Sequence, residues 1–121
     1  MLNLNSVMIS SEDPGPLVEF YSKVFGEPGW TGGDFTGWKA GSGYVMVGPH
    51  SDVKGRNEMP GRFMFFLETP DVQAEFERLK GLGVQVQQEP YQPGENPDGW
   101  LATLVDPDGN YFQLASPMPE M

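Results

Sequence analysis

The side chains that could carry out chemistry are few, because the chain has one histidine and no cysteine. Thiolate metal sites, disulfides and cysteine nucleophiles are therefore excluded. A serine–histidine–aspartate triad would have to use His50, and no supporting set surrounds it in the sequence. The glycine-rich segment 29–33 lacks the Lys-Ser/Thr ending and the strand-to-helix context of a phosphate-binding loop. No common catalytic set is predicted.

The most informative polar residue is Gln113, which lies among apolar neighbours near the end of the chain. Residues 106–109 read Asp-Pro-Asp-Gly, a tight-turn sequence in which Gly109 can take a positive φ. The segments on either side, 100–105 and 110–115, have the composition of β-strands. We therefore predict a final hairpin that holds the Gln113 amide within a sheet.

The first half of the chain predicts a strand, a helix and three short strands. Asp13 is the expected N-cap, Pro14 lies in the first turn, and Gly26 ends the helix. Strands are expected within residues 2–10, near Trp30, and over 35–40 and 44–47. The helix has an apolar stripe spaced to cover a sheet; its members are Leu17, Phe20, Tyr21, Val24 and Phe25.

The second half repeats this order. A strand is predicted over 62–68, a helix capped by Thr69-Pro70 and ended by Gly81 and Gly83, and strands over 84–88, 100–105 and 110–115. The segment Val18-Glu19-Phe20 of the first helix is echoed by Ala74-Glu75-Phe76 of the second. The pattern predicts an α+β fold of two βαβββ modules.

The bulk composition limits the partners. The 121 residues fit one domain, and a net charge of −10 would repel phosphate backbones, so we expect no nucleic-acid binding. No signal peptide and no membrane-spanning run is found. Together with the lack of cysteine, this leads us to expect a cytoplasmic protein.

Four segments taken together resemble the vicinal oxygen chelate superfamily, which contains glyoxalases, bleomycin resistance proteins and dioxygenases: 4–9, 18–26, 68–72 and 106–114. The resemblance is to the small, metal-free, drug-binding members. It implies a single glyoxalase-like domain over 1–121, with module one at 1–50, a hinge at 51–60 and module two at 61–121. It also implies a curved mixed sheet with helices on one face, and a homodimer.

In the metalloenzymes of this superfamily the metal ligands lie in the first and last strands of each module. The matching positions here are Ser6, Met64, Gln113 and either Tyr44 or Met46. These positions carry neither a histidine nor a carboxylate, which a divalent cation needs at neutral pH. We therefore expect no metal, no other cofactor and no catalytic residues. The alternative is a metal-dependent glyoxalase-like lyase or extradiol-type dioxygenase with atypical ligands.

Strand parity divides the side chains between the helices and the concave face of the expected sheet. Packed core is one interpretation of the concave set, and a ligand-binding wall is the other. We favour non-enzymatic sequestration of an aromatic or apolar small molecule, such as an antibiotic or other natural product, with cations favoured by the acidic charge. The candidate ligand-binding residues are Ser6, Met8, Trp38, Tyr44, Met46, His50, Met64, Phe66, Trp100, Tyr111 and Gln113. The helices should cover Val7, Ile9, Phe63, Phe65, Leu67, Phe112 and Leu114.

Overall fold

The structure is a computed structural model that describes residues 1–94 and 99–119. Within these residues the chain forms eight strands and two helices, which divide into two compact units, Met1–Arg56 and Asn57–Met121. Each unit contains a strand, a helix and three strands, so the predicted α+β fold of two βαβββ modules is confirmed. No helix in the described part of the chain is long and apolar enough to cross a membrane.

The first unit is a four-stranded mixed sheet with one helix. Its strands lie in the order β1-β4-β3-β2; β1 runs parallel to β4, and the other pairs are antiparallel. The elements are β1 (Ser6–Ser11), α1 (Pro14–Phe25), β2 (Trp30–Gly32), β3 (Phe35–Ala40) and β4 (Gly43–Pro49).

The ends of α1 follow from its sequence, with one difference. Pro14 begins the helix, and Gly26 ends it at φ +94°, where its N–H donates to the Ser22 carbonyl at 2.9 Å. Asp13 occupies the N-cap position, but its side chain accepts no capping hydrogen bond within the described residues. The hydroxyl of Ser11 instead bonds the N–H and carbonyl of Asp13, at 3.1 and 3.0 Å, and fixes the entry to the helix.

Trp38 lies in the core of the first unit, which corrects its expected place in a ligand-binding wall. It is 2% exposed, and its ring centroid is 6.3 Å from that of Tyr21 and 6.2 Å from that of Phe25, both on α1. Its Nε1–H donates to the Gly26 carbonyl at 3.0 Å. The side chain is therefore engaged on both its apolar body and its polar edge.

The second unit repeats the plan. Its strands lie in the order β5-β8-β7-β6; β5 runs parallel to β8, and the other pairs are antiparallel. The elements are β5 (Phe65–Glu68), α2 (Val72–Gly81), β6 (Gln85–Tyr91), β7 (Leu101–Val105) and β8 (Tyr111–Ala115).

Two predictions for the second unit were wrong in detail. The N-cap of α2 is Asp71, whose carboxylate accepts from the Ala74 N–H at 3.0 Å, while the Thr69 hydroxyl accepts from the Asp71 N–H. Strand β5 begins at Phe65, three residues later than expected. Phe63 is consequently 88% exposed and does not face the helix.

The β7–β8 hairpin is held by Asp106, which is 2% exposed. Its carboxylate accepts from the backbone N–H groups of Asp108 and Asn110, at 2.9 and 3.0 Å, and from the Asn110 side chain at 2.9 Å. Gly109 has φ +83°, as the turn sequence predicts. These bonds set the register that places Thr103 opposite Gln113.

Candidate functional site

Each sheet has one face covered by its helix and one that we call its open face. In the first unit Val45, Val47 and Trp38 are buried on the helix side. Because side chains alternate along a strand, their neighbours lie on the open face. The registers of β1, β4 and β3 then bring three rows together there: Ser6, Tyr44 and Lys39; Met8, Met46 and Gly37; Ser10, Gly48 and Phe35.

The Trp30 indole lies on the open face of the first unit, directly over two glycines. A Cβ added at Gly32 would come within 2.8 Å of the indole Cζ2, and one at Gly37 within 3.2 Å of Cε3. Since any other residue at these positions would push the ring away, the glycines form a cradle for it. Trp30 still remains 52% exposed, so one side of the ring is supported by backbone while much of it is free.

The ring of Phe35 is also packed directly against a glycine. Phe35 lies across Gly48, where an added Cβ would overlap the phenyl ring. Sequence reasoning missed both Trp30 and Phe35 as candidate residues. Glycine at positions 32, 37 and 48 is the signal that could have found them. Glycine is disfavoured inside a strand, and its presence there often marks the close approach of another group to the backbone.

Flexible and polar groups surround these rings. Met8 is 44% exposed and Tyr44 47% exposed, while Met46 and Ser6 are half-buried. Lys39, at the end of the first row, places a cation on the same face. The expected positions of Ser6, Met8, Tyr44 and Met46 are therefore those of the structure, although their role in binding stays a prediction.

The open face of the second unit centres on Gln113. Phe112 and Leu114 are buried toward α2, so Gln113 points the other way, between Phe66 on β5 and Thr103 on β7. Gln113 is 8% exposed, and its Nε2–H contacts the Met64 sulfur at 3.7 Å. Its Oε1 is buried and accepts no hydrogen bond from the described residues.

The remaining candidate residues lie at the edges. The side chain of His50 is 55% exposed, just after β4, and its Nδ1 accepts the Asp52 N–H at 3.1 Å. Trp100 precedes β7, half-buried, and its N–H donates to the Ser116 hydroxyl at 2.9 Å. Tyr111 begins β8 on the same side as Gln113. The roles of these three residues in binding also stay predictions.

The residues at the superfamily's metal positions do not fit a divalent cation. Ser6 and Tyr44 offer neutral hydroxyls, Met46 and Met64 offer thioethers, and Gln113 offers an amide, so none provides an imidazole or carboxylate. Nowhere in residues 1–94 and 99–119 do three His, Asp or Glu side chains meet at metal-binding distance. Glu68 is the carboxylate on the open side of β5, and its Oε1 accepts the Met118 N–H at 3.0 Å.

Residues 6–115 match the family model of the glyoxalase-like domain. The chain belongs to the glyoxalase-like domain family. This confirms the resemblance to the glyoxalase, bleomycin resistance and dioxygenase superfamily. No curated protein matched the sequence.

Several solved structures share the fold at low sequence identity. A glyoxalase-related enzyme from Fulvimarina pelagi is 18% identical with a TM-score of 0.76, covering 97% of this chain and 89% of that one. A glyoxalase/bleomycin resistance protein/dioxygenase family enzyme from Burkholderia phytofirmans PsJN is 19% identical with a TM-score of 0.74, covering 97% and 100%. The fosfomycin resistance protein FosX from Listeria monocytogenes is 16% identical with a TM-score of 0.68, covering 98% and 93%.

Proposed function

We propose that this glyoxalase-like protein binds and sequesters a flat, largely apolar aromatic molecule, an antibiotic or other natural product, without transforming it. The observation that carries the proposal is the half-exposed Trp30 indole resting on Gly32 and Gly37. A ring held by backbone loses little conformational freedom when a ligand stacks on it. Its free area is then available to a planar partner.

The neighbours of Trp30 suit an irregular aromatic ligand. Methionine adapts its shape and makes favourable contacts with rings, and Met8 and Met46 lie side by side on β1 and β4 of the same face. Tyr44 adds an exposed ring with a hydroxyl at its tip. Such a wall, apolar with a few polar tips, is typical of small-molecule sites.

The net charge of the chain favours cationic ligands without adding a specific contact to them. The net charge of −10 creates a field that raises the local concentration of cationic ligands. Lys39 is a cation on the open face itself, so a positive group of the ligand should lie away from this residue on β3. The preference is therefore expected to depend on ionic strength.

The fold shared with a resistance protein supports the proposed role in antibiotic resistance. FosX, a protein of the same fold, is described as a fosfomycin resistance protein, and we extend resistance to this chain as a hypothesis. We also propose that the protein is a homodimer. Sedimentation velocity checks that assembly state independently of any ligand.

Titration of intrinsic tryptophan emission with a panel of aromatic antibiotics and planar dyes tests the binding. Three tryptophans emit, so the variants Trp30→Phe and Trp38→Phe separate the exposed ring from the core ring. We expect saturable quenching in the wild type and in Trp38→Phe, and much weaker quenching in Trp30→Phe. Mass spectrometry of the recovered compound should show it unchanged. A chemically converted compound, or no saturable signal across the panel, would refute sequestration.

A further inference from the structure

Gln113 carries a buried acceptor to which no residue in the described part of the chain donates. Its side chain is 8% exposed, and Oε1 is out of contact with solvent and accepts no hydrogen bond from the described residues. Buried polar side chains are nearly always paired, so an unpaired oxygen in a native protein calls for a physical explanation. A ligand that brings its own donor provides one.

The fold fixes the neighbours of Gln113 in the sheet. Strand β8 lies between β5 and β7, and the Asp106 turn fixes its register. The side chain therefore stays between Phe66 and Thr103. Its Nε2–H is aimed at the Met64 sulfur, which is a weak acceptor.

Met64 is suited to move. It precedes β5 and lies outside the strand ladder, half-buried, on an unbranched and flexible side chain. Its contact with the amide, at 3.7 Å to sulfur, is easily exchanged. Phe66, two residues further on the same face, is 54% exposed and offers a free ring beside the amide.

We propose that the open face of the second unit binds an aromatic molecule carrying an N–H or O–H group, with Met64 as a displaceable cover. The donor bonds Gln113 Oε1, and the aromatic ring packs on Phe66. This inference rests on the proposed function and gives the ligand class of the open face of the second unit, because a molecule with acceptors alone brings no donor to the buried oxygen. It also gives Gln113, at a metal-ligand position of the superfamily, a role in binding the ligand directly.

Naphthol and its methyl ether, methoxynaphthalene, are probes that differ in a single donor. Isothermal titration measures both against the wild type, Gln113→Leu and the control Gln73→Leu, which changes an exposed glutamine on α2. One hydrogen bond corresponds to roughly a tenfold preference for naphthol. We expect that preference in the wild type and in Gln73→Leu, and a ratio near one in Gln113→Leu.

A measurement on the wild type alone keeps the inference testable if Gln113→Leu does not fold. The side-chain amide resonance of Gln113 and the Met64 methyl resonance should shift with naphthol and much less with methoxynaphthalene. Equal affinity of the two probes, or a preference that survives in Gln113→Leu, would overturn this inference and leave sequestration standing. Binding of neither probe, together with silence across the antibiotic and dye panel, would overturn both.

Discussion

Replacing Trp30 with alanine should weaken the binding of a planar ligand about tenfold. The side chain is 52% exposed, and a tryptophan presents roughly 250 Å² in total, so about 130 Å² is free. A flat ligand stacked on one side covers about half of this, or ~60 Å². At ~25 cal/mol per Å² the lost contact amounts to ~1.5 kcal/mol, which is about a tenfold change in Kd.

The assay is isothermal titration of a planar compound that the wild type binds, because it does not depend on tryptophan emission. Gly37→Ala is a graded version of the same test: its Cβ would lie 3.2 Å from Trp30 Cε3 and 3.5 Å from Met46 Cγ, so the ring must tilt. We expect a smaller loss of affinity there. Trp38→Phe is the matched control, since it changes a core ring and should leave Kd within about twofold.

The reasoning would be refuted if Trp30→Ala bound the compound as tightly as the wild type while remaining folded. It would also be refuted if Trp38→Phe weakened binding as much as Trp30→Ala, because the effect would then reflect general loosening of the first unit.

Three further predictions concern the supports of the site and its charge. Asp106→Ala should lower the free energy of unfolding by ~2–3 kcal/mol in urea titrations, because two backbone N–H groups lose their acceptor. Asp106→Asn keeps one side-chain oxygen and should lose less stability. Equal losses in the two variants would contradict this account of the turn. Asp71→Ala should cost ~1 kcal/mol by the same measurement through loss of the α2 N-cap, and Asp71→Ser should recover most of it. Raising the salt concentration from ~0.01 to ~1 M should weaken binding of the cationic dye aminoacridine several-fold and leave a neutral planar compound nearly unchanged; equal salt effects on both would remove the role given to the charge of −10.

Local patterns predicted the elements well. The α1 stripe, the glycine at its end and the Asp-Pro-Asp-Gly turn each act within a few residues, so they could be read directly from the chain. The Gln113 amide was found in the same way, since it is the polar residue of an apolar strand. That none of the described residues donates to its Oε1 depends on neighbouring strands and could not be predicted.

The errors arise where pairing between strands decides the outcome. Strand β3 carries Phe35 and Trp38, whose spacing puts them on opposite faces, and only the register with β4 shows which ring meets α1. The cradle of Trp30 is formed by Gly37, which belongs to the next strand. Phe63 has strand-like composition, but β5 starts after it.

The central claim is that the open face of the first unit binds an aromatic molecule, and methionine methyl resonances test it most directly. Met8 and Met46 lie on the open face of the first unit, while Met59 is exposed in the segment before β5 of the second unit. With methyl-labelled methionine and a bound planar compound, ring currents should shift the Met8 and Met46 methyl resonances strongly and leave that of Met59 in place. A shift of the Met59 resonance with those of Met8 and Met46 unmoved would contradict the account.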